Sequence, residues 1–183
     1  GDAIIAMEQL DEFWPQALSN IVWAYATLSE KNPKLFEKVA DHVVTLGNLD
    51  RFKTQELSNI MWAYANAGVS HPKLFKTVAD HIIAQDNLNR FMPRALSNTI
   101  WSYAKAEESH PTLFNKVADH IVTLDDLNRF KTQELANTVW AYATVGQSHP
   151  ELFKKLADAA IKRQQEFQPQ GIANFPWAYA ANG

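Results

Sequence analysis

Apolar residues recur along this chain in two alternating helical registers. In the first, Leu74, Phe75, Val78, Ala79, Ile82 and Ile83 stand at i, i+1, i+4, i+5, i+8 and i+9, a wide stripe on a 3.6-residue helix. Ser70-His71-Pro72 opens this segment, and Ser109-His110-Pro111, Ser148-His149-Pro150 and Asn32-Pro33 open its equivalents. The second register is narrower. Leu18, Val22 and Tyr25 share one side, with Ile21 and Leu28 flanking them, while Gln16, Asn20 and Thr27 lie opposite, bordered by Trp23 and Ala24. Its starts carry Pro15, Thr54, Pro93 and Pro169; proline is tolerated in a first turn and threonine can cap there. Gly68, Gly146 and Gly183 supply stop signals. The pattern therefore predicts pairs of helices, A then B, joined by short turns.

The pairs repeat. Leu18-Ser19-Asn20-Ile21-Val22-Trp23-Ala24-Tyr25-Ala26 returns at Leu57, Leu96 and Leu135 with a spacing of 39 residues, and again at Ile172 after a shorter gap. A period of this size marks a unit that buries its apolar face only against copies of itself. The expected fold is all-α, a right-handed α-solenoid of helical hairpins. The expected boundaries are a partial repeat at 1–9 (the end of a helix B), full repeats at 10–48, 49–87, 88–126 and 127–163, and a half repeat at 164–183. Neither end carries a polar capping unit, which predicts a piece of a longer array and self-association through uncapped ends. Phe175-Pro176 should kink or shorten the last helix A.

Composition narrows the function. All five Tyr and five of six Trp fall inside the recurring segment, so the aromatics serve the repeat and not a single pocket. The absence of cysteine excludes disulfides and thiolate metal sites. No apolar run approaches the ~20 residues of a membrane-spanning helix, and the first residues do not read as a signal peptide. The net charge of −3 argues against strong nonspecific attraction to phosphate.

The candidate binding surface is the polar line of helix A. Asparagine stands at Asn20, Asn59, Asn98, Asn137 and Asn174 without exception. Near the helix end the residue changes: Thr27, Asn66, Lys105 and Thr144. Near its start stand Gln16, Gln55, Arg94 and Gln133. A constant amide beside a changing residue is what a modular reader of a polymer needs. Two plainer readings compete: the asparagines could bond backbone between adjacent helices as an internal ladder, and the tryptophans could be half-buried packing instead of a stacking platform. The tyrosines are expected in the core.

Phe130-Lys131-Thr132-Gln133-Glu134-Leu135-Ala136-Asn137-Thr138-Val139-Trp140-Ala141-Tyr142-Ala143 and Phe167-Gln168-Pro169-Gln170-Gly171-Ile172-Ala173-Asn174 together resemble the octotricopeptide repeat, across essentially the whole chain. The resemblance implies a pentatricopeptide-like factor of plastid or mitochondrion that binds single-stranded RNA at about one nucleotide per repeat and governs RNA processing, stability or translation. The thirteen polar-line residues named above become the RNA-binding candidates. The alternative is a scaffold for a protein or peptide, favoured by the acidic balance. An enzyme is the weakest option. His42, His81 and His120 on helix B, and His71, His110 and His149 at its start, recur with the repeat, whereas a catalytic group is needed once. No catalytic residue, metal site or cofactor is expected.

Overall fold

The computed structural model describes residue 10, residues 13–28 and residues 32–167. Among these residues eight α-helices alternate as A and B: α1 (Pro15–Thr27), α2 (Pro33–Thr45), α3 (Thr54–Ala67), α4 (Pro72–Ala84), α5 (Pro93–Lys105), α6 (Pro111–Thr123), α7 (Thr132–Thr144) and α8 (Pro150–Lys162), followed by a 3-10 turn over Gln164–Glu166. Among the described residues there is no strand. Four helical hairpins stack in chain order, each on the next, as the 39-residue period predicts. The partial helix expected at 1–9, the kink at Phe175-Pro176, and Asn174 all lie outside the described residues.

The ends of the helices follow local chemistry. Each B helix begins with proline, whose missing N–H is no loss in a first turn. Asn32 Oδ1 accepts from the Leu35 N–H at 3.2 Å, and Nδ1 of His71 and His149 accepts from Leu74 and Leu152 at 3.1 and 3.3 Å. Thr54, expected as a possible cap, is instead the first helical residue, as is its equivalent Thr132. The free N–H before each, on Lys53 and Lys131, donates to Glu56 and Glu134 at 2.8 Å. Gly68 and Gly146 end their A helices in the left-handed region, at φ 65° and 64°. Glu107 takes the same conformation at the equivalent place, φ 58°, where a Cβ is strained.

A helices lie against neighbouring A helices along their length, whereas B helices meet neighbouring B helices more sparingly. Small residues permit the close approach: Ala63, Ser102 and Ala141 are fully buried, and so nearly are Ala26, Ala65 and Ala104. The side on which neighbours come closer is the inner side of the curve, so A lines the trough and B the outer face.

Successive hairpins are joined by a repeated clamp. Tyr64, Tyr103 and Tyr142 are fully buried and donate their hydroxyl protons to the Phe36, Phe75 and Phe114 carbonyls of the preceding B helix, at 2.5, 2.6 and 2.6 Å. The same rings meet edge to face, with centroids 5.0, 5.0 and 5.1 Å apart. The tyrosines therefore belong to the core, as expected, but at the joint between repeats. Burial pushes each of these phenols well above its ordinary pKa, so they remain donors. Tyr25 is only half-buried, and Leu28, expected beside the packed side of α1, is 72% exposed. It lies one residue past the helix end, where the wheel no longer governs its direction.

Ammonium groups add a second tie. Lys116 Nζ donates to the Ile83 carbonyl at 2.7 Å and also to that of Gln85, and Lys155 likewise to Val122 (2.8 Å) and Leu124. Each caps the carbonyl end of the preceding B helix, where a cation is favoured.

Candidate nucleic-acid interface

Residues at i, i+4, i+7 and i+11 of a helix fall on one line. In each A helix that line runs Gln16, Asn20, Trp23, Thr27 and its equivalents. Gln16, Gln55, Arg94 and Gln133 are exposed at its start, and Thr27, Asn66, Lys105 and Thr144 are exposed at its end. Between them Asn20 is exposed and Asn59, Asn98 and Asn137 are half-buried. The line faces the trough.

The asparagines form no internal ladder. The side-chain amides of Asn20, Asn59 and Asn98 have no hydrogen-bond partner among the described residues, and Asn137 Oδ1 accepts only from Gln133 Nε2 of its own helix, at 2.8 Å. The inter-helix bond sits instead at the variable position, where Asn66 Nδ2 donates to the Ala26 carbonyl at 3.1 Å. Thr27 Oγ1 likewise turns back to the Trp23 carbonyl, at 2.8 Å. Lys105 and Thr144 make no such bond. The variable position therefore presents a committed side chain in two repeats and a free one in two.

Tryptophan is the member of the line that the wheel placed only at its border. The i+7 spacing from Gln16 to Trp23 was the available signal. Trp62, Trp101 and Trp140 are half-buried and Trp23 is 41% exposed, so the indoles pack and still face the trough. They pair as Trp23–Trp62 and Trp101–Trp140, each with centroids 6.2 Å apart and planes tilted by 34° and 37°.

Among the described residues no exposed carboxylate stands on the A helices themselves. The acidic residues of the A helices, Glu56 and Glu134, are each 8% exposed and held as caps. The histidines are elsewhere. His71 and His149 face Asp41 and Asp119 of the preceding B helix through Nε2, at 3.4 and 3.2 Å. His81 and His120 lie near the B-helix ends, and burial holds both below the ordinary imidazole pKa, against a weaker upward pull from Asp50 on His81. Among the described residues no three such side chains gather to hold a metal. None of the described helices is long and apolar enough to cross a membrane.

Stacked hairpins, a close-packed inner layer and a polar trough lined by amides and indoles define a helical-repeat protein. A family model, RNA-editing substrate-binding complex 6 protein, matches residues 2–182, and the chain belongs to that family. No curated protein matches it. The family is RNA-related and helical, as the resemblance implied, and the octotricopeptide assignment stays a resemblance.

Proposed function

We propose that this chain binds single-stranded RNA along its inner trough, about one base to each helical repeat, without catalysing a reaction of its own. The observation that carries the reading is the accessible, unpartnered amide of Asn20, Asn59 and Asn98, set beside half-exposed indoles on one continuous line. Amides recognise base edges by paired donor and acceptor, and indoles offer a face on which a splayed base stacks. Free Lys105 and Thr144 discriminate; Thr27 and Asn66, already bonded to backbone, contribute less. The family description supports a role with RNA in editing, and its association with mitochondria favours that organelle over the plastid.

Selection from a randomised single-stranded RNA library tests the reading. An enriched motif is expected, and Asn98→Ala or Lys105→Ala should relax preference at one nucleotide and cost about 1–3 kcal/mol there. A folded protein that binds no RNA at low salt contradicts it.

A protein-binding role draws support from two facts. The family is described as part of a complex, and Trp14 and Leu28 of the first hairpin are 77% and 72% exposed. Association that survives ribonuclease treatment and is lost in Trp14→Ser would favour that role.

A further inference from the structure

The cations of this molecule lie on two surfaces. On the outer face Lys76 and Lys154 pair with Asp80 and Asp158, at 2.5 and 2.8 Å, Lys116 and Lys155 are spent on backbone carbonyls, and Lys34, Lys73 and Lys162 are scattered over the B helices without an ion pair among the described residues. A second set is gathered where the connectors lead into the A helices. Arg51 and Lys53, Arg90 and Arg94, and Arg129 and Lys131 are all exposed, two in each of three successive repeats. None of the six forms an ion pair among the described residues, and only Arg129 hydrogen-bonds another side chain there through its own, its Nη2 donating to Met92 Sδ at 3.3 Å.

The connectors hold these groups in a row. In each, a side-chain oxygen of Asn48, Asn87 or Asp126 accepts the N–H two residues on, at 2.6, 3.1 and 2.8 Å, while Leu49, Leu88 and Leu127 and then Phe52, Phe91 and Phe130 bury into the core. The arginine between each Leu and Phe is thereby turned outward at the same point of every repeat. Successive connectors also touch the preceding A-helix start, through Thr54 Oγ1 to the Arg90 carbonyl (3.4 Å) and through Arg129 to Met92. A recess of about 750 Å³ opens between Arg51 and Arg90, and one of about 380 Å³ lies beside Arg129. Six exposed cations stand here against the four exposed carboxylates of Asp50, Asp86, Asp125 and Asp126, while those of Glu56 and Glu134 are nearly buried and turned to the Lys53 and Lys131 N–H, so the exposed charge of the rim is positive on a chain of net charge −3. Asp50 and Asp126 are engaged within their own connectors.

We infer that this rim is a phosphate track: the sugar-phosphate backbone of single-stranded RNA runs along Arg51, Arg90 and Arg129, one phosphate to each, with Lys53, Arg94 and Lys131 beside them. The inference rests on the RNA reading above and orients the strand. Phosphates lie at the A-helix N-terminal rim and bases turn toward Asn59, Asn98 and the indoles. Affinity comes from the rim and base preference from the trough, the division expected of a single-strand binder. An acidic protein segment would meet the same cations without that periodic division.

The test is the salt dependence of binding of the whole chain to oligo(U) and oligo(A) of about 15 nucleotides, by fluorescence anisotropy. The triple variant Arg51→Gln, Arg90→Gln, Arg129→Gln should weaken both about tenfold or more at ~100 mM salt. It should also lower the slope of log K against log salt by about 2, three single-strand phosphates at ~0.7 each. Lys34→Gln, Lys73→Gln, Lys162→Gln removes the same charge elsewhere and should leave the slope near its original value, with both variants keeping the parent circular dichroism and melting point. The track is overturned if the parent binds RNA and the arginine variant keeps its slope, or if both triples lower it equally. It is also overturned if polyglutamate binds as tightly with the same arginine dependence. A parent that binds neither oligonucleotide defeats the RNA reading itself and the track with it.

Discussion

Tyr64, Tyr103 and Tyr142 show how a single atom sets a joint between repeats. Each hydroxyl adds a buried hydrogen bond to a first-turn carbonyl of the preceding B helix, and each ring fills the space beside a phenylalanine. Tyr103→Phe keeps the ring and removes one buried hydrogen bond between hairpins, so a loss of about 0.5–1.5 kcal/mol is expected in chemical denaturation. His81 and His120 act through charge. Because burial lowers their folded pKa, the unfolded chain binds more protons than the folded one just below pH ~6.5, and stability falls as the pH drops through that window. The double variant His81→Gln, His120→Gln should therefore lose less melting temperature between about pH 7 and 5.5 than the parent does. The asparagines were legible as a line because their spacing is fixed, but their freedom from neighbouring backbone was not. Whether an amide reaches the next helix depends on inter-helix distance, which no spacing along the chain encodes.

Element ends were the most legible feature, because proline, glycine and cap chemistry act within a few residues. Gly68 and Gly146 stop their helices in the left-handed conformation, and Glu107 is forced into the same one without glycine's freedom. Glu107→Gly should raise stability by about 1 kcal/mol, read as a higher denaturation midpoint with unchanged slope. The B helices differ at one repeated position in a way the period exposes. Lys116 and Lys155 cap the preceding B helix, whereas Thr77, one period earlier, only returns to the Lys73 carbonyl. Thr77→Lys should tighten the joint between α2 and α4 by about 0.3–1 kcal/mol, measured the same way.

Across the whole molecule each hairpin touches its neighbours in the chain, so stability is close to a sum of hairpin and joint contributions. Weakening the middle joint should divide the array. Tyr103→Ala, at a loss of about 3–5 kcal/mol, is expected to broaden or split the unfolding transition monitored by circular dichroism, while the parent melts in one step. The same linear organisation makes the trough and its basic rim continuous features, each assembled from four or three short segments far apart in sequence.

Helix type, hairpin order and the 39-residue repeat follow from local periodicity and from residues that act on their own backbone, and these were readable along the chain. The place of the buried tyrosines at the joint, the inward turn of Asn66, the placing of tryptophan in the trough and the alignment of six exposed cations along one rim were not. Those depend on how closely one hairpin approaches the next, and that separation is set by small residues such as Ala63, Ser102 and Ala141 packing across the A helices, a balance of contacts between repeats.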